Sequence, residues 1–178
     1  MRTALLIIDM QVGSFKSKSE RQEAGRLVKR LNALADEMRE RDGLIVFLQH
    51  DGPPGDRHHH DAPGWRLLPG LEVADADPII GKRSCDAFLN TDLDRMLKRA
   101  GVRELIITGS ATDFCVDTTV RSALARGYKT TVPSDGHITV NRPHLKADKI
   151  IEHHNAIWAD FLSPVGPAHV CPCDEVFG

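Results

Sequence analysis

The chain has 178 residues, 41% hydrophobic and 27% charged, with a formal net charge of −2. Against a prior of about 150 residues per domain, that length predicts a single domain over 1–178 with a substantial core. The charge balance excludes the basic excess of a nucleic-acid binder, and no apolar run approaches the roughly 20 residues of a membrane span, which leaves a soluble protein acting on a small molecule.

Strands and helices are expected to alternate along the chain. Ala4-Leu5-Leu6-Ile7-Ile8 is a continuous apolar run that ends at Asp9. Residues 20–41 carry Leu27, Leu31, Leu34 and Met38 at helical spacing, and Asp42-Gly43 stops the helix. Leu44-Ile45-Val46-Phe47-Leu48 reads as the second strand, followed by a Pro-, Gly- and His-bearing loop from Asp51 to about Glu72. Pro78-Ile79-Ile80 is a short strand running into Gly81-Lys82. Thr91 then has the character of an N-cap, with Gly101 as the terminator of the helix it opens. Residues 104–108 form the next strand, and a helix follows from Cys115 with Val116, Val120, Ala123 and Leu124 on one face. A strand at Tyr128–Val132, a helix over 144–161 and an edge strand at 168–171 complete the pattern. Apolar strands alternating with helices imply an α/β, doubly wound, Rossmann-like three-layer sandwich with a mostly parallel sheet of about six strands.

In such sheets ligands bind outside the carboxyl ends of the strands. Asp9, Gln49-His50-Asp51, Lys82, the 109–115 turn and Ser134-Asp135-Gly136-His137 all follow strand ends, so they are expected on one rim. Cys115 sits where a strand gives way to a helix, where unpaired N–H groups and the helix dipole favour a thiolate and can hold an oxyanion. A cationic Lys82 would depress the thiol pKa further, and Asp9, next to the apolar strand, would shuttle a proton with a raised pKa. Each residue alone has an ordinary explanation: a packed thiol, a turn-capping aspartate, a solvated lysine. In this order, each at a strand end, the three form a catalytic set. The four cysteines at 85, 115, 171 and 173 form no CxxC pair and Met1-Arg2-Thr3 shows no signal-peptide pattern, so a reducing cytoplasm is expected.

Leu5-Leu6-Ile7-Ile8-Asp9-Met10-Gln11, Gly81-Lys82 ahead of Asp86-Ala87-Phe88, Gly109-Ser110-Ala111-Thr112-Asp113-Phe114-Cys115-Val116, Ser122 to Tyr128 and Ser134-Asp135-Gly136 together resemble the isochorismatase-like cysteine hydrolases. The resemblance spans nearly the whole chain. It implies Asp9, Lys82 and Cys115 as a catalytic triad, backbone N–H groups of Ala111, Thr112 and Cys115 as an oxyanion hole, and a non-proline cis peptide at Ser110–Ala111 or Ala111–Thr112, with the second preferred. It also implies cleavage of a small amide or related C–N bond through a thioester, and assembly as a homodimer or homotetramer. Phe15, Gln49, Trp65, Phe114 and His137 are the candidates for lining the substrate pocket.

Two alternatives stand beside that expectation: isochorismatase-type vinyl-ether hydrolysis, which needs a general acid and no thiol nucleophile, and a catalytically silent ligand-binding protein of the same fold. The nicotinamidases of this family carry a metal on an Asp-x-His pair after the second strand. Here Asp51-Gly52-Pro53 has proline where that His would stand. His58-His59-His60-Asp61 could supply imidazoles, but a solvated loop is the favoured reading, so no metal and no cofactor is expected. His153-His154 occupy adjacent helix positions and cannot form an i, i+4 ligand pair, and Cys171 and Cys173 read as packing or surface thiols.

Overall fold

The computed structural model describes residues 2–178. In chain order its main elements are β1 (Arg2–Ile8), α1 (Lys18–Glu40), β2 (Leu44–His50), β3 (Ile79–Lys82), α2 (Leu93–Arg99), β4 (Val102–Ser110), α3 (Asp117–Ala125), β5 (Lys129–Pro133), β6 (His137–Ile138), α4 (Ala147–Ala159) and β7 (His169–Cys171). Among the described residues the sheet has seven strands in the order β3-β2-β1-β4-β5-β7, with β6 pairing to the end of β4, and every ladder is parallel. The doubly wound α/β class is therefore observed, with one strand more than expected. The addition is β6, where Gly109 pairs His137 and Ser110 pairs Ile138.

Alternation along the strands divides the core into two. Leu5, Ile7, Ile45, Phe47 and Ile106 pack with the α1 stripe of Leu27, Leu31, Leu34 and Met38. Leu6, Ile8, Val46, Leu48 and Ile107 face the opposite layer, which includes Leu97, Val120, Leu124 and Trp158. Ser17 caps α1, which starts at Lys18, two residues before the expected boundary. Its hydroxyl accepts from the Glu20 N–H, and the Glu20 carboxylate accepts from the Ser17 N–H, so two otherwise unpaired donors are satisfied together. Asp92 occupies the cap position of α2 without a side-chain capping bond, while the Thr91 hydroxyl accepts from the Leu93 N–H at 3.3 Å. The last helix begins at Ala147, whose N–H donates to Asn141 Oδ1 at 2.9 Å. No described helix is long and apolar enough to cross a membrane.

The expected helix from Cys115 is divided. Thr112–Val116 winds as a π-helical turn before α3 starts at Asp117. Phe114 and Val116 both donate to the Ala111 carbonyl, at 3.0 and 3.1 Å, so Cys115 lies inside a wide turn and not at the first position of an α-helix. The cis peptide is at Ser110–Ala111, one bond ahead of the preferred position.

Candidate active site

Parallel register brings the expected rim together. Ile8 pairs with Leu48 on one side and Gly109 on the other, and His50 pairs with Lys82. Asp9 therefore leaves the end of β1 between β2 and β4. It does so at φ 48, a left-handed conformation that aspartate tolerates better than most residues but that still costs energy. Lys82 comes from β3, two strand spacings of about 4.8 Å from β1, and its long stem spans that gap. The ammonium donates to Asp9 Oδ2 at 2.7 Å and to the Ser84 carbonyl at 2.9 Å.

Gly109 lets the third group approach. Its φ is +113, and a Cβ there would overlap the backbone oxygen and nitrogen of Ile8. The residue that turns β4 into the cysteine loop must therefore be glycine.

The Lys82 side chain is fully buried and that of Asp9 nearly so. Burial works against the lysine charge, but Asp9 and Cys115 outweigh it and the Lys82 pKa is raised, so the ammonium stays charged. Asp9 Oδ2 is taken by that ammonium, while Oδ1 is buried with no hydrogen-bond partner among the described residues. The thiol of Cys115 is the group in position to use it. Burial, and after it the negative charge of Asp9, push the Cys115 pKa up, against the smaller opposing pull of Lys82. This corrects the sequence expectation of a stabilised thiolate. The thiol is held toward its protonated form, next to the unpartnered Oδ1 of Asp9.

The remaining candidates divide. Trp65 is half-buried in a 3-10 turn, Pro63–Trp65. Its carbonyl accepts from Gln49 Nε2 at 2.7 Å and Gln11 Nε2 at 2.8 Å, so Gln49 anchors the turn. Gln11, buried and absent from the sequence candidates, also exchanges hydrogen bonds with the His50 backbone. Its signal was its place two residues after Asp9 in the first motif. Phe114 is 51% exposed, with the Arg142 guanidinium 4.8 Å over its ring. Phe15 is buried under α1. His137 is buried, with Nδ1 2.9 Å from Thr112 Oγ1 and Nε2 3.0 Å from Asn155 Oδ1. Both ring nitrogens are engaged within the protein, so neither is available to a substrate. A cleft of ≈ 920 Å³ between α1 and α4 is lined by Phe15, His137 and Ile138 but by none of Asp9, Lys82 and Cys115, so the chemistry lies outside it.

Asp113, inside the cysteine turn, receives a bidentate pair from Arg142 at 2.7 and 2.9 Å and the Thr139 hydroxyl at 2.5 Å. In the loop after β2, His58 is held by Ser14 and Asp56. His59, His60 and Asp61 have ligand atoms within 4.8 Å of one another and are the described group that could hold a metal ion. Each imidazole already pairs with Asp61, at 3.5 and 3.4 Å. All four cysteines are free. His154 turns Nδ1 to the Ile150 carbonyl at 2.7 Å, a structural use.

The parallel α/β sheet thus presents Cys115 beside the buried Asp9–Lys82 pair. A family model described as the Isochorismatase domain matches residues 3–158, and the chain belongs to that family. It is 34% identical over 140 residues to a streptothricin hydrolase of Streptomyces noursei, a match covering 79% of this chain and 51% of the relative. The chain thus spans about half the length of that relative. The isochorismatase family protein YwoC of Bacillus subtilis is 33% identical over 142 residues, covering 72% of this chain and 73% of its own. The crystal structure of an isochorismatase from Pseudomonas putida superposes with a TM-score of 0.87 at 28% identity, covering 99% and 90% of the two chains.

Proposed function

We propose that the chain is a cysteine hydrolase that cleaves a small amide or related C–N bond, with Cys115 as nucleophile, Asp9 as acid and base, and Lys82 as their electrostatic partner. The observation that carries this reading is the open, buried Oδ1 of Asp9 beside a protonated thiol. A nucleophile whose pKa is raised needs a base at the moment of attack, and that oxygen is placed to be one. Asp9 takes the thiol proton as Sγ bonds to the substrate carbonyl carbon. The carbonyl electron pair moves to oxygen, where the N–H groups of Ala111, Thr112 and Cys115 hold the oxyanion. Those of Phe114 and Val116 are committed to the Ala111 carbonyl. Collapse breaks the C–N bond, and Asp9 returns its proton to the departing amine. Water, deprotonated by Asp9, then attacks the thioester, releases the acid and restores the thiol. Lys82 remains charged throughout and keeps Asp9 oriented.

The name of a further relative supports the C–N bond class. The ureidoacrylate amidohydrolase of Methylorubrum extorquens is 34% identical over 82 residues, 46% of this chain and 33% of the relative. Assembly as a homodimer or homotetramer belongs to the same reading, with the exposed Phe114, Leu89 and Leu162 as contact residues. The test is ammonia release from a panel of amides, carbamates and ureides. At least one is expected to turn over in the wild type and none in folded Cys115→Ala. Hydrolysis retained by that variant would overturn the covalent mechanism.

A further inference from the structure

The π-helical turn that carries Cys115 rests on a buried polar chain. Asn155 of α4 donates from Nδ2 to the Ser134 carbonyl at 3.1 Å. That bond fixes which end of the amide is nitrogen, so the atom facing His137 Nε2 at 3.0 Å is the acceptor Oδ1. Nε2 must then carry the imidazole hydrogen. In a neutral ring Nδ1 is left as an acceptor, and the Thr112 hydroxyl 2.9 Å away donates to it. Burial lowers the His137 pKa to about 4, so the ring is neutral at physiological pH and the direction of every bond in the chain is set. The ring also packs edge-on against Trp158, with centroids 5.1 Å apart. Trp158 donates from Nε1 to Asp117 Oδ1 at 2.8 Å, at the start of α3. His137 cannot rotate without losing both hydrogen bonds and this contact.

The geometry points to His137, oriented by Asn155, as a positioning residue that holds Thr112, and with it the oxyanion-binding N–H groups of the cysteine turn, in place through the Thr112 hydroxyl. This rests on the cysteine-hydrolase reading above and extends it to residues that touch no substrate. The role matters because an oxyanion donor must lie about 2.7–3.1 Å from where the oxyanion forms. Thr112 is fully buried and has the His137 ring as its side-chain partner.

Two chemical probes of Cys115 separate this role from simple packing. Acylation by p-nitrophenyl acetate passes through a tetrahedral oxyanion and releases p-nitrophenol. Alkylation by iodoacetamide displaces iodide at a saturated carbon and forms no oxyanion. Both are measured at one pH on the wild type, Thr112→Val, His137→Phe and His137→Asn. Thr112→Val and His137→Phe are expected to slow acylation at least tenfold relative to alkylation. In His137→Asn an amide oxygen placed near the position of Nδ1 should restore part of that loss. Thr112→Val preserves volume and keeps the test informative if His137→Phe does not fold. Equal changes in the two rates, or no change in either, would overturn the positioning role. A wild type whose Cys115 is alkylated but never acylated would instead overturn the hydrolase reading beneath it.

Discussion

Replacing Asp9 by Asn tests the buried ion pair at the centre of the site. Lys82 is bonded to Asp9 at 2.7 Å with its side chain fully buried. Removing the negative partner leaves a cation with only the Ser84 carbonyl and the new amide oxygen as acceptors. Breaking a buried pair from one side costs about 3–5 kcal/mol. The retained hydrogen bonds place this case at the lower end, about 3 kcal/mol, or about 6–12 °C in Tm for a chain of this size. The effect has a definite pH signature. The folded pKa of Lys82 lies above its ordinary 10.5, so the pair's contribution is complete below 10.5 and is lost as pH rises through the raised value. Urea unfolding of wild type and Asp9→Asn across pH 7–11 should show a gap that is widest near neutrality and narrows in alkali. Asp9→Asn combined with Lys82→Met should lose less than the sum of the single losses. A gap below about 1 kcal/mol at pH 7, or strict additivity in the double variant, would refute the reasoning.

Three further outcomes follow from the geometry. Alkylation of Cys115 by iodoacetamide should be slow at neutral pH and rise with a midpoint above 9.0, because burial and Asp9 raise its pKa. The midpoint should fall in Asp9→Asn, and a rate that plateaus below pH 7 would contradict the protonated resting thiol. Gly109→Ala should destabilise the fold by about 3 kcal/mol, since its Cβ meets the Ile8 backbone at a φ of +113; wild-type urea stability would show that β1 and β4 yield there. Hydrolysis should survive exhaustive chelation, and loss with zinc-dependent recovery would assign the His59, His60 and Asp61 group a required metal.

Most of the sheet is legible in the sequence because strands buried on both faces read as unbroken apolar runs, as in Leu5–Ile8 and Leu44–Leu48. His137–Ile138 is not, since two residues carry no periodicity and their pairing is decided by the end of β4. The proposed triad positions stand out in the sequence because each lies at or beyond the end of a strand. The ionisation of Cys115 is misread for a physical reason. The helix dipole is a local property that sequence suggests, whereas burial and the charge of Asp9, 106 positions earlier in the chain, arise only on folding and dominate. The π-helical form of Thr112–Val116 leaves the apolar spacing beyond it unchanged, so periodicity gives no sign of it. His137 looks like a pocket residue until Asn155, on α4, occupies its Nε2. Gln11 is missed for a related reason, since its partners at His50 and Trp65 are neighbours only in space.

In the proposed mechanism Cys115 carries the acyl group during turnover. Mass spectrometry of the wild-type enzyme, acid-quenched during hydrolysis of an amide from the active panel, tests it directly. The expected spectrum shows an added mass equal to the acyl portion, located on Cys115, removed by hydroxylamine and absent from Cys115→Ala. Turnover with Cys115 unmodified at every quench time, together with activity in Cys115→Ala, would contradict it.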